Sequence, residues 1–171
     1  ARSDRVWSVL QPLADMLQTM PSFIFLLPFV ILFRTGEFTA ILIIVSFAIV
    51  PVIRYTAEGL RAVPAHIVEA ARAHGANNTQ LLFQVELPLA LPQLILGLNQ
   101  TIMMALSMLV ITAYVGTRDL GQETYAAMIK GGDVAIGFGV VGGLSVCAIA
   151  IAADRLVRAA AERMGRRLGV G

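Results

Sequence analysis

Few residues in this sequence carry reactive chemistry, and their spacing excludes most of what they could do. Candidate nucleophiles and bases include Ser107, Ser145, His66, His74 and the single Cys147. Ser107 and Ser145 fall in uncharged apolar runs and both histidines in one charged stretch, so no base stands beside a hydroxyl to activate it. The sequence has no GxxxxGK[ST] run to cradle a nucleotide phosphate, no HExxH and no paired cysteines to hold a metal. No catalytic residue, metal site or resident cofactor is expected, and with one cysteine the chain can close no disulfide within itself.

A second group can bind without reacting. Asn99, Gln100, Thr101, Met103, Met104, Ser107 and Met108 sit inside Leu87 to Thr117, a run without a charged side chain. Amides and hydroxyls at such depth face protein or a polar path rather than lipid, and flexible thioethers can seal a gap without rigid fit. Asn99, Gln100, Met103, Met104, Ser107 and Met108 are therefore candidates for the lining of a gated path. Ordinary helix packing is the competing account of each methionine.

A third group is defined by spacing: Glu69-Ala70-Ala71, three residues, Gly75, nine residues, Val85, one residue, then Leu87-Pro88. Paired alanines let a helix lie close to its neighbour, Gly75 permits a sharp turn, and Pro88 can start a helix without wasting a donor. Glu69 is expected to accept hydrogen bonds from backbone amides across that turn.

The elements that must position these residues follow from hydropathy. Charged residues make up 14% and apolar residues 57% of the chain, against roughly 25% charged in a soluble domain. Four charge-free runs predict transmembrane helices at 16–33, 38–53, 88–117 and 134–153. A soluble helical core could hide one such run but not four in 171 residues. The polar start, from Ala1 to Arg5, does not have the positive-then-apolar pattern of a signal peptide.

Between the runs, the first, third and fifth aqueous segments carry ten arginines, against Arg34, Arg118 and Lys130 in the other two. That distribution puts the odd segments in the cytoplasm, and it reads as topology rather than as a nucleic-acid surface. Arg155, Arg158, Arg163, Arg166 and Arg167 follow the last run at a spacing that can continue its helix out of the bilayer. The spans contain no Asp, Glu, Lys or His, so ion-pair or proton-relay transport has no obvious members. Gly139 and Gly143, with Ser145 and Ala148 nearby, form a small-residue face for close packing within the chain or between copies.

The 64–87 loop is too long for a simple connector and is patterned as a helical hairpin. After Pro64, residues Ile67, Val68, Ala71 and His74 share a face, and Gly75 ends that helix. Asn77 or Asn78 can cap a second helix bearing Leu81, Leu82 and Val85, before Pro88 opens the third span.

The Glu69-to-Pro88 spacing resembles the EAA signature of ABC importer permeases, with Val85 where isoleucine is usual. Met20-Pro21-Ser22-Phe23, Pro51-Val52-Ile53-Arg54, Asn99-Gln100-Thr101, Ala105-Leu106-Ser107-Met108 and Asp119-Leu120-Gly121-Gln122 are similar to the glycine betaine, proline betaine and choline branch. The resemblance implies an all-α membrane protein with the type I ABC importer permease fold. It also implies one permease domain over 1–171, a polytopic bundle with four transmembrane helices, and at least one further span before Ala1. Glu69, Ala70, Ala71, Gly75, Val85, Leu87 and Pro88 would couple the chain to an ABC ATPase dimer, and ATP and Mg would belong to that partner.

The other implied partners are a periplasmic or lipid-anchored substrate-binding protein, a second permease subunit in a homodimer, and membrane lipid, with no nucleic acid. The implied place is the bacterial inner membrane, multi-pass, with the EAA loop and C-terminus cytoplasmic. The implied role is osmoprotectant transport, with no enzyme activity on this chain. Trp7, Tyr55, Tyr114 and Tyr125 are scattered among segment ends, so an aromatic cage for a quaternary ammonium is expected on the separate binding protein. Trimethylamine N-oxide, an amino acid or an organic anion remain alternative solutes. A channel subunit or an intramembrane enzyme would need filter or catalytic residues at membrane depth, which the sequence lacks.

Overall fold

Pro21 decides the first feature of the fold. It lacks an N–H and keeps Met20 from helical geometry, so α1 (Asp4–Thr19) stops and α2 (Ser22–Phe33) starts again at 101° to it. The computed structural model describes residues 4–168. The expected span at 16–33 is thus a broken pair, and the 12 residues of α2 are too short to cross a bilayer alone. Arg34 and Gly36, both at positive φ, turn the chain into α3 (Glu37–Arg61), and the Thr39 hydroxyl donates to the Arg34 carbonyl at 2.6 Å to close that corner.

The remaining elements are α4 (Ala65–Ala73), a single turn α5 (Asn78–Gln80), a π-helical stretch (Leu81–Glu86), α6 (Leu87–Thr112), a 3-10 turn (Ala113–Val115), α7 (Leu120–Lys130) and α8 (Asp133–Leu168). Among the described residues, three helices are long and apolar enough to cross a membrane, or up to four if the bent pair counts as one span. The last carries the arginine-rich tail as a direct continuation. The Arg118–Asp133 connection is mostly helix: Asp119 caps α7 by accepting from the Gln122 amide at 2.9 Å.

Small residues set the packing. α3 and α6 run antiparallel and approach closely where Gly59 meets Ala90 and Gln93, and where Gly97 meets Tyr55. Gly121 brings α7 onto the Leu109 carbonyl of α6, a place with no room for a Cβ. On α8, Gly139 receives Ala127 and Gly142 receives Thr124, whereas Gly143 faces open space. The small-residue face therefore lies at Gly139 and Gly142 rather than at Gly139 and Gly143, because α7 crosses the face that those two share. Around the bend of α1–α2, Leu17, Met20, Leu26, Phe29, Val30 and Phe47 close over the fully buried Ile43 and Val115.

Three apolar runs end at one level. Asp15 of α1 pairs with Arg54 of α3, Tyr55 lies on Gly97 of α6, and Asn99 of α6 donates to Asp154 of α8 at 2.7 Å. Charged side chains expected outside the spans consequently stand beside the uncharged run of α6, which overhangs its neighbours. Asn78–Val115 is one continuous 38-residue helical run, and at 1.5 Å per residue its start lies about 30 Å beyond that level.

Candidate functional site

The overhang carries the loop. Pro64 leads into α4, whose nine residues end in a Schellman motif: Gly75 at φ +85° donates to the Arg72 carbonyl at 2.9 Å, and Ala76 to Ala71 at 3.1 Å. Asn77 is the cap that follows. Its side chain accepts from the Gln80 amide at 2.8 Å while the Gln80 side chain accepts from the Asn77 amide at 2.9 Å, a reciprocal capping box. The turn is thus satisfied by backbone and cap. Glu69, expected to bond across it, is exposed, and its side chain makes no hydrogen bond among the described residues.

Behind the turn, α4 leans on the π-helical stretch. Ile67, Val68 and Ala71 are half-buried and Leu81 is fully buried, while His74 is exposed with its Nδ1 2.8 Å from the Ala70 carbonyl. Glu69, Ala70 and Gly75 face outward, and Val85, Leu87 and Pro88 are half-buried at the base. Phe83 stands out with 62% of its surface exposed. Sequence reading passed over Phe83 because one aromatic in a helical pattern reads as core.

Pro88 does not open the third span. The helix is already running, and Leu87 donates to Leu82, five residues back, in π geometry. Pro88 has no N–H for the Gln84 carbonyl, and its ring would crowd that carbonyl in α geometry. Widening the turn by one residue relieves both, so the hairpin's second arm and α6 are one rod.

Of the six residues expected on the path, Gln100, Met103 and Ser107 lie on an exposed stripe of α6 that continues through Leu89, Leu96, Val110 and Tyr114. Met104 is half-buried, and Met108 is 3% exposed and points into the protein. Asn99 is committed to Asp154, which also accepts from the Arg158 Nε at 2.9 and 3.0 Å.

Gln100 and Met104 meet Gln18, Pro51, Arg54, Tyr55 and Glu58 around a cleft of about 270 Å³ between α1, α3 and α6. Sequence reading placed Arg54 and Glu58 in an aqueous loop. The missed signal was their spacing of four, which puts both on one helical face. Tyr114 and Tyr125 are brought together with Phe23, at centroid distances of 4.3 and 5.3 Å. Those rings pack edge-on and tilted against one another rather than enclosing a cage. Trp7 takes the Arg61 guanidinium over its ring at 5.2 Å, which pins α1 to the loop end of α3.

Comparison with known proteins agrees with this architecture. Residues 1–166 match the binding-protein-dependent transport system inner membrane component family. The chain is 42% identical over 159 residues to the glycine betaine/proline betaine transport system permease protein ProW of Escherichia coli K12, covering 93% of this chain and 44% of that protein. It is 41% identical over 159 residues to the trimethylamine N-oxide transport system permease protein TmoV of Pelagibacter ubique, covering 92% and 22%. Several of the curated relatives it matches are about twice its length.

Among solved structures, a chain of the MetNI methionine ABC transporter in inward-facing conformations superposes with a TM-score of 0.71 at 26% identity, over 92% of this chain and 76% of that one. The fold is therefore that of a type I importer permease, and the chain belongs to the binding-protein-dependent transport system inner membrane components.

Proposed function

We propose that this chain is the translocating subunit of an ATP-driven importer for a small quaternary ammonium osmolyte, such as glycine betaine, proline betaine or choline. The Glu69–Pro88 loop docks on a separate ATPase dimer, which binds ATP and Mg. A second copy of the permease completes the path, and a substrate-binding protein delivers the solute from the opposite side. The loop and C-terminus face the cytoplasm, as the arginine distribution favours.

The observation that carries this reading is mechanical. The turn at Gly75 is locked by backbone bonds and a capping box, and its second arm is continuous with α6. A push on the loop reaches Gln100, Met103 and Ser107 along one continuous helical run. The betaine assignment draws on the relatives' names, and TmoV at similar identity favours a second reading, trimethylamine N-oxide.

Gly75→Glu tests the coupling role. Nothing lies within 4 Å of a Cβ there, so the change acts through the positive φ and the added charge rather than through a clash. In the assembled complex in proteoliposomes, uptake and solute-stimulated ATP hydrolysis should both fall. Both at wild-type rates would remove the loop from the coupling role.

A further inference from the structure

The cleft between α1, α3 and α6 plays no part in the coupling argument, yet it gathers polar side chains from three helices far apart in sequence. Its position on α3 is informative. Phe38, Ile41, Val45, Ile49 and Val52 form an exposed apolar stripe suited to lipid. Arg54 is nine residues beyond Val45, which at 3.6 residues per turn is half a turn round the helix. Arg54 and Glu58 therefore point away from that stripe, toward Gln100 and Met104 of α6. Charged groups at the end of an apolar slab stay ionised only where partners or water reach them, and this cleft supplies both.

We propose that this cleft holds a small solute bearing both a quaternary ammonium and a carboxylate, at the loop end of the path. The proposal rests on the importer reading above. Arg54 is the carboxylate anchor: Asp15 takes one of its nitrogens and aims the guanidinium, leaving the rest of the five-donor fork for a ligand. Glu58, one turn further along the same face, and the ring of Tyr55 receive the ammonium.

Asp15, Arg54 and Glu58 together sum to one negative charge, which admits a cation or a zwitterion and repels a simple anion. The volume of about 270 Å³ lies just below the ~300–1,000 Å³ of pockets for drug-sized molecules, which suits a solute of few heavy atoms. A single aromatic face is a weak hold, and a site on a transport path must release what it binds.

The test uses the full permease with its ATPase and binding protein in proteoliposomes, supplied with saturating radiolabelled glycine betaine or choline. Arg54→Gln should lower the betaine-to-choline uptake ratio about three- to tenfold, because choline has no carboxylate to lose. Glu58→Lys, on an exposed side chain, should lower uptake of both solutes by a similar factor, while Glu58→Asp keeps most of it. If wild type carries both solutes and neither the ratio nor the Glu58→Lys rates change, the cleft assignment is overturned and the permease reading stands. A wild-type complex that carries neither solute overturns the osmolyte reading, and the cleft assignment with it. Should Arg54→Gln fail to assemble, Glu58→Lys alone decides the matter.

Discussion

Single atoms decide how closely the helices of this protein approach. A Cβ on Gly121 would meet the Leu109 carbonyl, a backbone group that cannot swing away, whereas one on Gly143 meets nothing within 4 Å. Gly121→Ala should therefore pry α7 from α6 and destabilise the fold by about 1–3 kcal/mol, as overpacking does. Gly143→Ala should stay within about 0.5 kcal/mol of wild type. Thermal unfolding of the two purified variants in detergent makes the comparison, and equal midpoints would refute it. The sequence puts Gly143 in a small-residue face and Gly121 only in the Asp119-Leu120-Gly121-Gln122 run, so it is the crossing partner that shows which glycine is needed. Gly75 is different: its positive φ was legible from the flanking helix pattern, because a helix that stops before a capping residue needs a left-handed turn.

At the level of elements, the long rod from Asn78 to Val115 is the unexpected feature. A proline after a loop reads as a helix start, and that reading fails here because the π-helical stretch absorbs the missing donor. The clasp between α6 and α8 was equally hidden. Asn99 and Asp154 are 55 positions apart, and nothing in either neighbourhood announces the other. Asp154 accepts from two partners with unequal consequences. Its pairing with Arg158 is a solvent-exposed contact one turn along the same helix and contributes little. Its bond to Asn99 joins two helices. Asp154→Ala should lower the thermal midpoint and weaken transport clearly more than Arg158→Ala does. Equal losses in the two variants would mean that the Asn99 contact contributes nothing of its own.

For the molecule as a whole, the alignment of Asp15, Arg54, Asn99 and Asp154 at one level defines the end of the apolar slab on the loop side. The hairpin stands off that plane, a posture suited to a partner outside the membrane. Orientation can be read by labelling. With Cys147 replaced by Ala, Ala73→Cys in the loop should react with a membrane-impermeant maleimide only from the cytoplasmic side. Thr35→Cys, between α2 and α3, should react only from the other. The reverse pattern would invert the topology inferred from the arginines.

The sequence alone was enough for the class of protein, its all-α membrane fold and the turn at Gly75 that ends α4. Those properties are local or one-dimensional: hydropathy over some twenty residues, the side on which arginines collect, and turn chemistry within four positions of a glycine. The tertiary structure decided what depends on neighbours distant along the chain. It broke the first span at Pro21, fused the hairpin to α6, buried Met108, drew Asn99 to Asp154, and set Arg54 and Glu58 into a cleft with Gln100. The physical reason is register. Two antiparallel helices of unequal length bring charged ends beside an uncharged run, and the offset between them is set by where small residues let the backbones meet.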